Sequence, residues 1–249
     1  MPRLDKNTFD RHYDKLILRG DFFEEDGYYV RERPRYYRTL QYVLEQIEDT
    51  ADLAALEVLE IGGGQIALLL NGMFGCKCVI ADVNPEYGDS LVRHGHEFRV
   101  CDLLHDDLPD RGRFDVVVMC EVIEHLPVPP YKILPKLAQW MKPGGLLFLT
   151  TPNLYRLRNV LRLALGMRVF DTFFLPERGQ PIGHPLEYSA EHLAWQLERA
   201  GFPAPSIRYR QLALTGASLR ARIARWMFAP LLFREKFRDS LVASVRNPA

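Results

Sequence analysis

From residue 58 onward, short apolar runs alternate with longer segments of helical period, so the chain reads as strand, helix, strand, helix. The strands are Val58 to Ile61, Cys78 to Ala81, Glu97 to Cys101, Phe114 to Met119 and Leu146 to Thr150. Runs such as DVVVM at 115–119 are continuous rather than alternating. Strands covered on both faces read this way, so the sheet is expected to be mostly parallel with helices on both sides. Ligand groups in such sheets lie at the carboxyl ends of the strands, which here carry Glu60, Asp82, Asp102, Glu121 and Asn153.

Outside this core the pattern is less regular. Residues 1–32 are polar and aromatic and read as an irregular arm that orders on a ligand. Tyr36, Leu40, Val43, Leu44 and Ile47 then fall on one helical face, which predicts an amphipathic helix to about Glu48 with Pro34 in its first turn. Its arginines (Arg31, Arg33, Arg35, Arg38) read as a solvated flank, with pairing to an anionic group as the sharper alternative. Downstream, Leu154 to Leu165 predicts a helix and 166–185 a loop or lid. Ser189 is an N-cap for a helix over Glu191 to Ala200 that stops at Gly201. Pro205 to Ala213 and Ser240 to Val245 are the last two strands. Between them Ser218 to Phe233 is basic and apolar. A core-facing helix is expected there, with Pro230 interrupting it, and peripheral contact with a membrane surface is the alternative.

Composition narrows the class without naming a function. The chain has 249 residues, 47% hydrophobic and 26% charged, enough for one large domain with a sizeable core. Lys+Arg 32 balance Asp+Glu 32, so the total charge gives no argument for a nucleic-acid partner. The start, MPRLDKN, lacks an apolar signal core, and no apolar run approaches a membrane span, so a soluble cytoplasmic protein is expected. Cys76, Cys78, Cys101 and Cys120 fall on strands or their ends and read as small hydrophobes in a reducing compartment.

The chemistry concentrates after the first strand, where Glu60 precedes Gly62, Gly63 and Gly64 and an apolar helix follows. Glycines there let a ligand approach the backbone, and the free N–H groups of the helix start point at it. Gly62, Gly64 and Ala67 also fit the dinucleotide pattern, with Asp82 at the next strand end to take a ribose. Nicotinamide and S-adenosylmethionine (SAM) sites share that much.

The ordered set VLEIGGG, VIADVNP, VCDL, FDVVVMCEVIEHL, LAQWMKPGGLLFLTTPN and HPLEYSAEHLAWQLERAGF separates them. From Glu57 to about Phe202 it resembles the class I SAM-dependent methyltransferases, in the branch holding ubiquinone-biosynthesis O-methyltransferases and many small-molecule methyltransferases. The resemblance implies an α/β, Rossmann-like, seven-stranded sheet with a reversed terminal hairpin. It divides the single domain 1–249 into an N-terminal arm and helix (1–50), a SAM-binding core (57–153), a lid and acceptor region (154–203) and terminal strands with an inserted helix (204–249). By the same resemblance, Glu60, Gly62 and Gly64 line the amino-acid half of SAM and Asp82 takes both ribose hydroxyls. Val83 packs on the adenine, Asp102 with Leu103 reads its edge, and Cys120 and Glu121 close the site beside the methionine portion.

A SAM methyl is already electrophilic, so the protein has chiefly to align an acceptor, exclude water and remove a proton. Glu121, Glu124 and His125 are the candidates for the last task. On a helix starting near Val122, Glu121 and His125 share a face with Glu124 beside them. With His184 from the lid this set suits a divalent ion such as Mg²⁺ and a substrate diol. A similar arrangement holds a metal in ubiquinone O-methyltransferases and small-RNA 2′-O-methyltransferases, whereas other relatives carry it without one. His184 and Tyr188 are also candidate acceptor contacts, with ring packing the alternative for Tyr188. His192 reads as a surface histidine, and Asn153 as either an acceptor contact or a helix cap. The expected function is O-methylation of a small-molecule hydroxyl on a sugar, quinol or natural product. RNA 2′-O-methylation and a non-catalytic SAM-binding regulatory subunit are the alternatives, with a nicotinamide dehydrogenase behind them.

Overall fold

The computed structural model describes residues 4–20, 26–47, 52–170, 183–212 and 234–248. Seven strands form one sheet: β1 (Glu57–Ile61), β2 (Lys77–Asp82), β3 (Glu97–Val100), β4 (Phe114–Cys120), β5 (Met141–Pro152), β6 (Ser206–Arg210) and β7 (Ser240–Arg246). They lie in the order β3-β2-β1-β4-β5-β7-β6. The strands from β3 across to β5 run parallel, and β7 pairs antiparallel with both β5 and β6. The predicted sheet class and reversed terminal pair are both present.

Each of Val116, Val117, Val118 and Met119 on β4 is at most 2% exposed, because apolar clusters cover both faces of the sheet. On one face Val58, Val116 and Phe148 pack with Leu68 of α3 (Gln65–Phe74), Leu40 of α2 (Asp26–Gln46) and Tyr13 of α1 (Lys6–Tyr13). On the other, Leu59 and Val117 pack with Trp140 of α5 (Leu134–Trp140) and Leu197 of α7 (Ala190–Arg199). Two further helices, α4 (Glu86–Arg93) and α6 (Leu157–Ala164), follow β2 and β5. Helix α3 is buried from Gln65 through Leu70 because it is sandwiched between the sheet and the N-terminal helices.

That sandwich corrects the expectation for the N-terminal arm. Residues 6–13 are helical, capped by Asp5, whose carboxylate accepts from the Thr8 N–H at 2.8 Å, and a π-helical turn continues over Asp14–Leu18. Phe9, Tyr13 and Ile17 are buried at intervals of four. That spacing was in the sequence and outweighs the polar residues between them. Helix α2 likewise starts earlier than predicted, so Pro34 lies inside it rather than in its first turn. Its inner face is as expected, with Tyr36, Leu40, Val43, Leu44 and Ile47 buried. The arginines are not simply solvated: Arg33 pairs with Asp14, Arg38 donates to the Gln211 carbonyl at 2.6 Å, and Arg35 donates to the Tyr28 hydroxyl at 2.9 Å.

Ser189 caps α7 as predicted, accepting from the His192 N–H at 3.1 Å, and Gly201 follows that helix at φ 97°. All four cysteines are free thiols. Among the described residues no helix is long and apolar enough to cross a membrane. The predicted Ser218 to Phe233 helix and positions 171–182 of the lid lie outside the described residues.

Candidate active site

The turn between β1 and α3 carries three glycines in succession at φ 83°, 80° and 110°, a path that side chains with a Cβ resist. Space is as restrictive as conformation: a Cβ on Gly64 would stand 2.9 Å from two carbons of Ile80, and one on Gly62 would stand 2.6 Å from a Val122 methyl. Gly64→Ala is therefore expected to lower the thermal midpoint by several degrees and to abolish ligand binding at the turn, read by calorimetry on the same preparation. An unchanged midpoint with full binding would show that the turn tolerates a side chain.

Glu60, 2% exposed, reaches from β1 to the start of α3, where its carboxylate accepts the Ala67 N–H at 2.5 Å. It serves the helix as the N-cap that Gly64 cannot provide. Burial pushes its pKa up to about 8 against the pull of N–H groups from Ala67, Ile66 and Gly64. Asp82 ends β2. Its two carboxylate oxygens accept from the Gly63 N–H and the Asn84 N–H, each at 2.8 Å, so it fastens the glycine turn to the neighbouring strand end. Val83 beside it is 43% exposed, an apolar side chain standing in the open. Asp102 follows β3 and accepts from the Leu104 N–H at 2.9 Å, with His105 Nδ1 also at 2.9 Å. Leu103 turns its side chain into the core, at 6% exposure, which leaves only its backbone toward the strand ends.

Cys120 ends β4, and burial together with nearby Glu60 raises its thiol pKa. Glu121 follows with φ 55°, the one left-handed non-glycine residue among those described. It is pinned there by Thr150 of β5, whose carbonyl accepts the Glu121 N–H at 2.9 Å and whose hydroxyl donates to the Glu121 carboxylate at 2.8 Å. The helix expected from Val122 is only a 3-10 turn over Ile123–His125, so the four-residue spacing of Glu121 and His125 does not put them on one helical face. Glu124, His125 and His184 do come together, with one ligand atom from each within 4.8 Å of the others, and Glu121 is not among them. The His125 and His184 rings meet edge to face with centroids 4.7 Å apart. Glu124 is 1% exposed; its Oε2 accepts from the Thr151 hydroxyl at 2.9 Å, and its Oε1 has no hydrogen-bond partner among the described residues. Burial, then the charge of Glu121, raises its pKa well above the carboxylate range.

One residue that sequence reasoning passed over matters here, and so does one of the arginines it weighed as a partner for an anionic group. Glu187, 1% exposed, holds Arg156, accepts from Asn159 at 2.5 Å and lies 3.6 Å from His184 Nδ1, so it orients that ring. Arg35 brings α2 over the site. Burial disfavours its charge, but Glu121, then Tyr36 and Tyr28, outweigh the burial and raise its pKa. Arg35 is half-buried and directly precedes the core residue Tyr36, and of the two alternatives for the arginines of this helix the anionic pairing is the one that describes it. Gln65, the first residue of α3, donates to the Tyr29 hydroxyl at 3.1 Å and joins the two helices again.

Other candidates leave the site. Tyr188 is 1% exposed and its hydroxyl lies 3.4 Å from the Ile123 carbonyl, so the packing alternative holds and it does not face an acceptor. Asn153 is fully buried. Its amide donates to the Lys236 and Arg238 carbonyls at 2.8 and 2.7 Å, fastening β5 to the segment before β7 and leaving nothing for an acceptor. His192 is half-buried rather than solvated, with its Nε2 2.9 Å from Gln196 Nε2.

The arrangement is thus a glycine turn at the switch of strand order, with acids at successive strand ends. The sequence profile of a family described as a methyltransferase domain matches residues 29–204. The chain belongs to this family, the class I SAM-dependent methyltransferases. Among curated methyltransferases, it is 32% identical over 117 residues to a ubiquinone biosynthesis O-methyltransferase of Xanthomonas oryzae pv. oryzae, a match covering 44% of this chain and 48% of the relative. The corresponding protein of Coxiella burnetii is 28% identical over 116 residues, 44% of this chain and 49% of the relative. The chain therefore spans about half the length of the curated relatives it matches. Methyltransferase structures share the fold at low identity. Phosphoethanolamine N-methyltransferase 2 of Haemonchus contortus, solved with SAM, superposes with TM-score 0.61 at 12% identity, over 96% of this chain and 60% of that one.

Proposed function

We propose that the chain transfers the methyl group of SAM to a hydroxyl oxygen of a small molecule, with residues 1–249 acting as one domain. Residues 57–153 hold the cofactor, and 154–203 supply the acceptor side. Glu60, Gly62 and Gly64 take the amino-acid half of SAM, Asp82 the ribose, Val83 and the backbone at Asp102 and Leu103 the adenine, and Cys120 and Glu121 the methionine side. The observation that carries the oxygen acceptor is the Glu124, His125 and His184 cluster, because a hydroxyl must lose a proton during transfer whereas the methyl donor needs no activation. The curated relatives that match are O-methyltransferases, which supports the same choice.

The cluster also fits a divalent metal ion. A buried carboxylate oxygen without a partner beside two imidazoles is an incomplete set of donors, costly to bury unless a cation completes it. A metal bound there would lower the pKa of a coordinated hydroxyl. With two imidazoles for one carboxylate, the set suits Mn²⁺ or Zn²⁺ better than the Mg²⁺ expected from the sequence, which prefers oxygen ligands. The protein's own contribution is to position the set: Thr151 holds Glu124 and Glu187 orients His184.

Dialysis against EDTA is expected to remove at least nine-tenths of the turnover of a catechol-type acceptor, and Mn²⁺ should restore more of it than Mg²⁺. Full turnover after dialysis would leave His125 acting alone as the base. Failure of the protein to bind SAM or its demethylated product would end the methyltransferase reading altogether.

A further inference from the structure

A cavity of about 690 Å³ opens at the far side of the N-terminal helices, where Arg11, Lys15 and Arg19 face His94 and His96. The two histidines come from the turn between α4 and β3, at the amino end of that strand, so the cavity is remote from the carboxyl-edge site. Leu16, which also lines it, lies against Gly72 near the end of α3, with a Cβ on Gly72 standing 2.6 Å from it. The glycine turn is eight residues up that helix, about 12 Å away.

Among the described residues the charge lining this cavity is not balanced. Arg11, Lys15 and Arg19 follow one another at intervals of four, and such like-charged pairs repel on a helix. Lys6 shows the ordinary arrangement on α1, with Asp10 four residues on at 2.8 Å. No carboxylate of the described residues lies within ion-pair distance of Arg11, Lys15 or Arg19; Asp14, the acid among the lining residues, is already engaged by Arg33. Arg11 spends one N–H on the neutral Thr8 hydroxyl at 3.2 Å. The backbone departs from an α-helix at this place: Asp14–Leu18 is a π-helical turn in which the Arg19 N–H bonds to the Asp14 carbonyl at 3.0 Å. Single π turns recur at functional sites, and this one sets the spacing of Lys15 and Arg19 along the rim. In a chain of zero formal net charge, the concentration is local.

We propose that this cavity binds a small polyphosphorylated anion, at a site separate from the one at the glycine turn. A row of cations spanning about 12 Å is longer than a single phosphate needs and matches two or three linked phosphates. The volume lies within the range of small-molecule pockets, so there is room for a nucleoside beyond them.

Calorimetry of the full chain at low ionic strength, with tripolyphosphate and with ADP as probes, tests this. One saturable site is expected for at least one probe, and the larger response identifies whether bare phosphates or a nucleotide is preferred. The combined Lys15→Ala and Arg19→Ala variant should bind at least tenfold more weakly while keeping its thermal midpoint, since both side chains are exposed. Saturation with S-adenosylhomocysteine should leave the probe's affinity unchanged. No saturable heat with either probe, equal binding by the double variant, or displacement by S-adenosylhomocysteine would each overturn the proposal. Tighter binding of a short single-stranded RNA at the same residues would also overturn it, making the face a nucleic-acid contact instead.

Discussion

Asp82→Ala is expected to weaken the binding of S-adenosylhomocysteine by about 100-fold, or ~2.7 kcal/mol. Two costs combine. The carboxylate bridges the Gly63 and Asn84 N–H groups at 2.8 Å each, so its loss frees the glycine turn from β2. On the proposed assignment its remaining lone pairs are offered to a ribose diol, and a charge-assisted hydrogen bond contributes about 1.5–3 kcal/mol where water is excluded. Asp82→Asn separates the two costs, because the amide keeps one acceptor oxygen and the same size. An intermediate loss of about tenfold is expected there. Calorimetric affinities for the alanine variant within threefold of the parent protein would remove Asp82 from the cofactor site.

His125→Ala should act at the other end of the reaction, lowering kcat by about 10²–10⁴-fold while the affinity for S-adenosylhomocysteine stays within about threefold. His125 stands with Glu124 and His184 and is separated in sequence from the glycine turn and from Asp82. The same split is expected whether it holds a cation or takes the acceptor proton directly, because both roles serve the acceptor. Steady-state kinetics with a catechol-type acceptor, paired with calorimetry, reads the two quantities separately. A parallel loss of cofactor affinity and of thermal midpoint would make His125 a packing residue.

Much of this was legible in the amino-acid order, for a physical reason. Parallel strands covered on both faces leave long apolar runs, and every strand of the sheet was predicted to within a few residues except the beginning of β5, which starts at Met141 rather than Leu146. The glycine turn was visible because backbone conformation constrains residue type directly, and Asp82 because it stands at the end of the next strand. Misreadings fell where packing decides among chemically similar options. Tyr188 and Asn153 have side chains suited to an acceptor, but the fold spends both on fastening its own backbone. The N-terminal helix was hidden because its buried positions Phe9, Tyr13 and Ile17 are set four apart among charged neighbours. Glu121 was grouped with His125 on helical spacing that its left-handed backbone breaks. Glu187 gave little local hint, since most of its value lies in meeting Arg156 and Asn159 from another segment while it lies beside His184 three residues before it.

The place of β7 has a consequence for how the molecule comes into being. A ribosome makes β6 well before β7, yet among the described strands β6 has no neighbour in the sheet except β7, and the outer edge of β5 is covered by β7 as well. Until residue 246 has left the exit tunnel, the nascent chain carries a finished parallel half with one raw edge, and a strand waiting for its partner. Non-local pairing of this kind is slow, and an uncovered edge can pair with another chain. The final closure of the sheet therefore waits for β7, and until that strand is in place the edge of β5 is where the folding chain is open to pairing with another polypeptide.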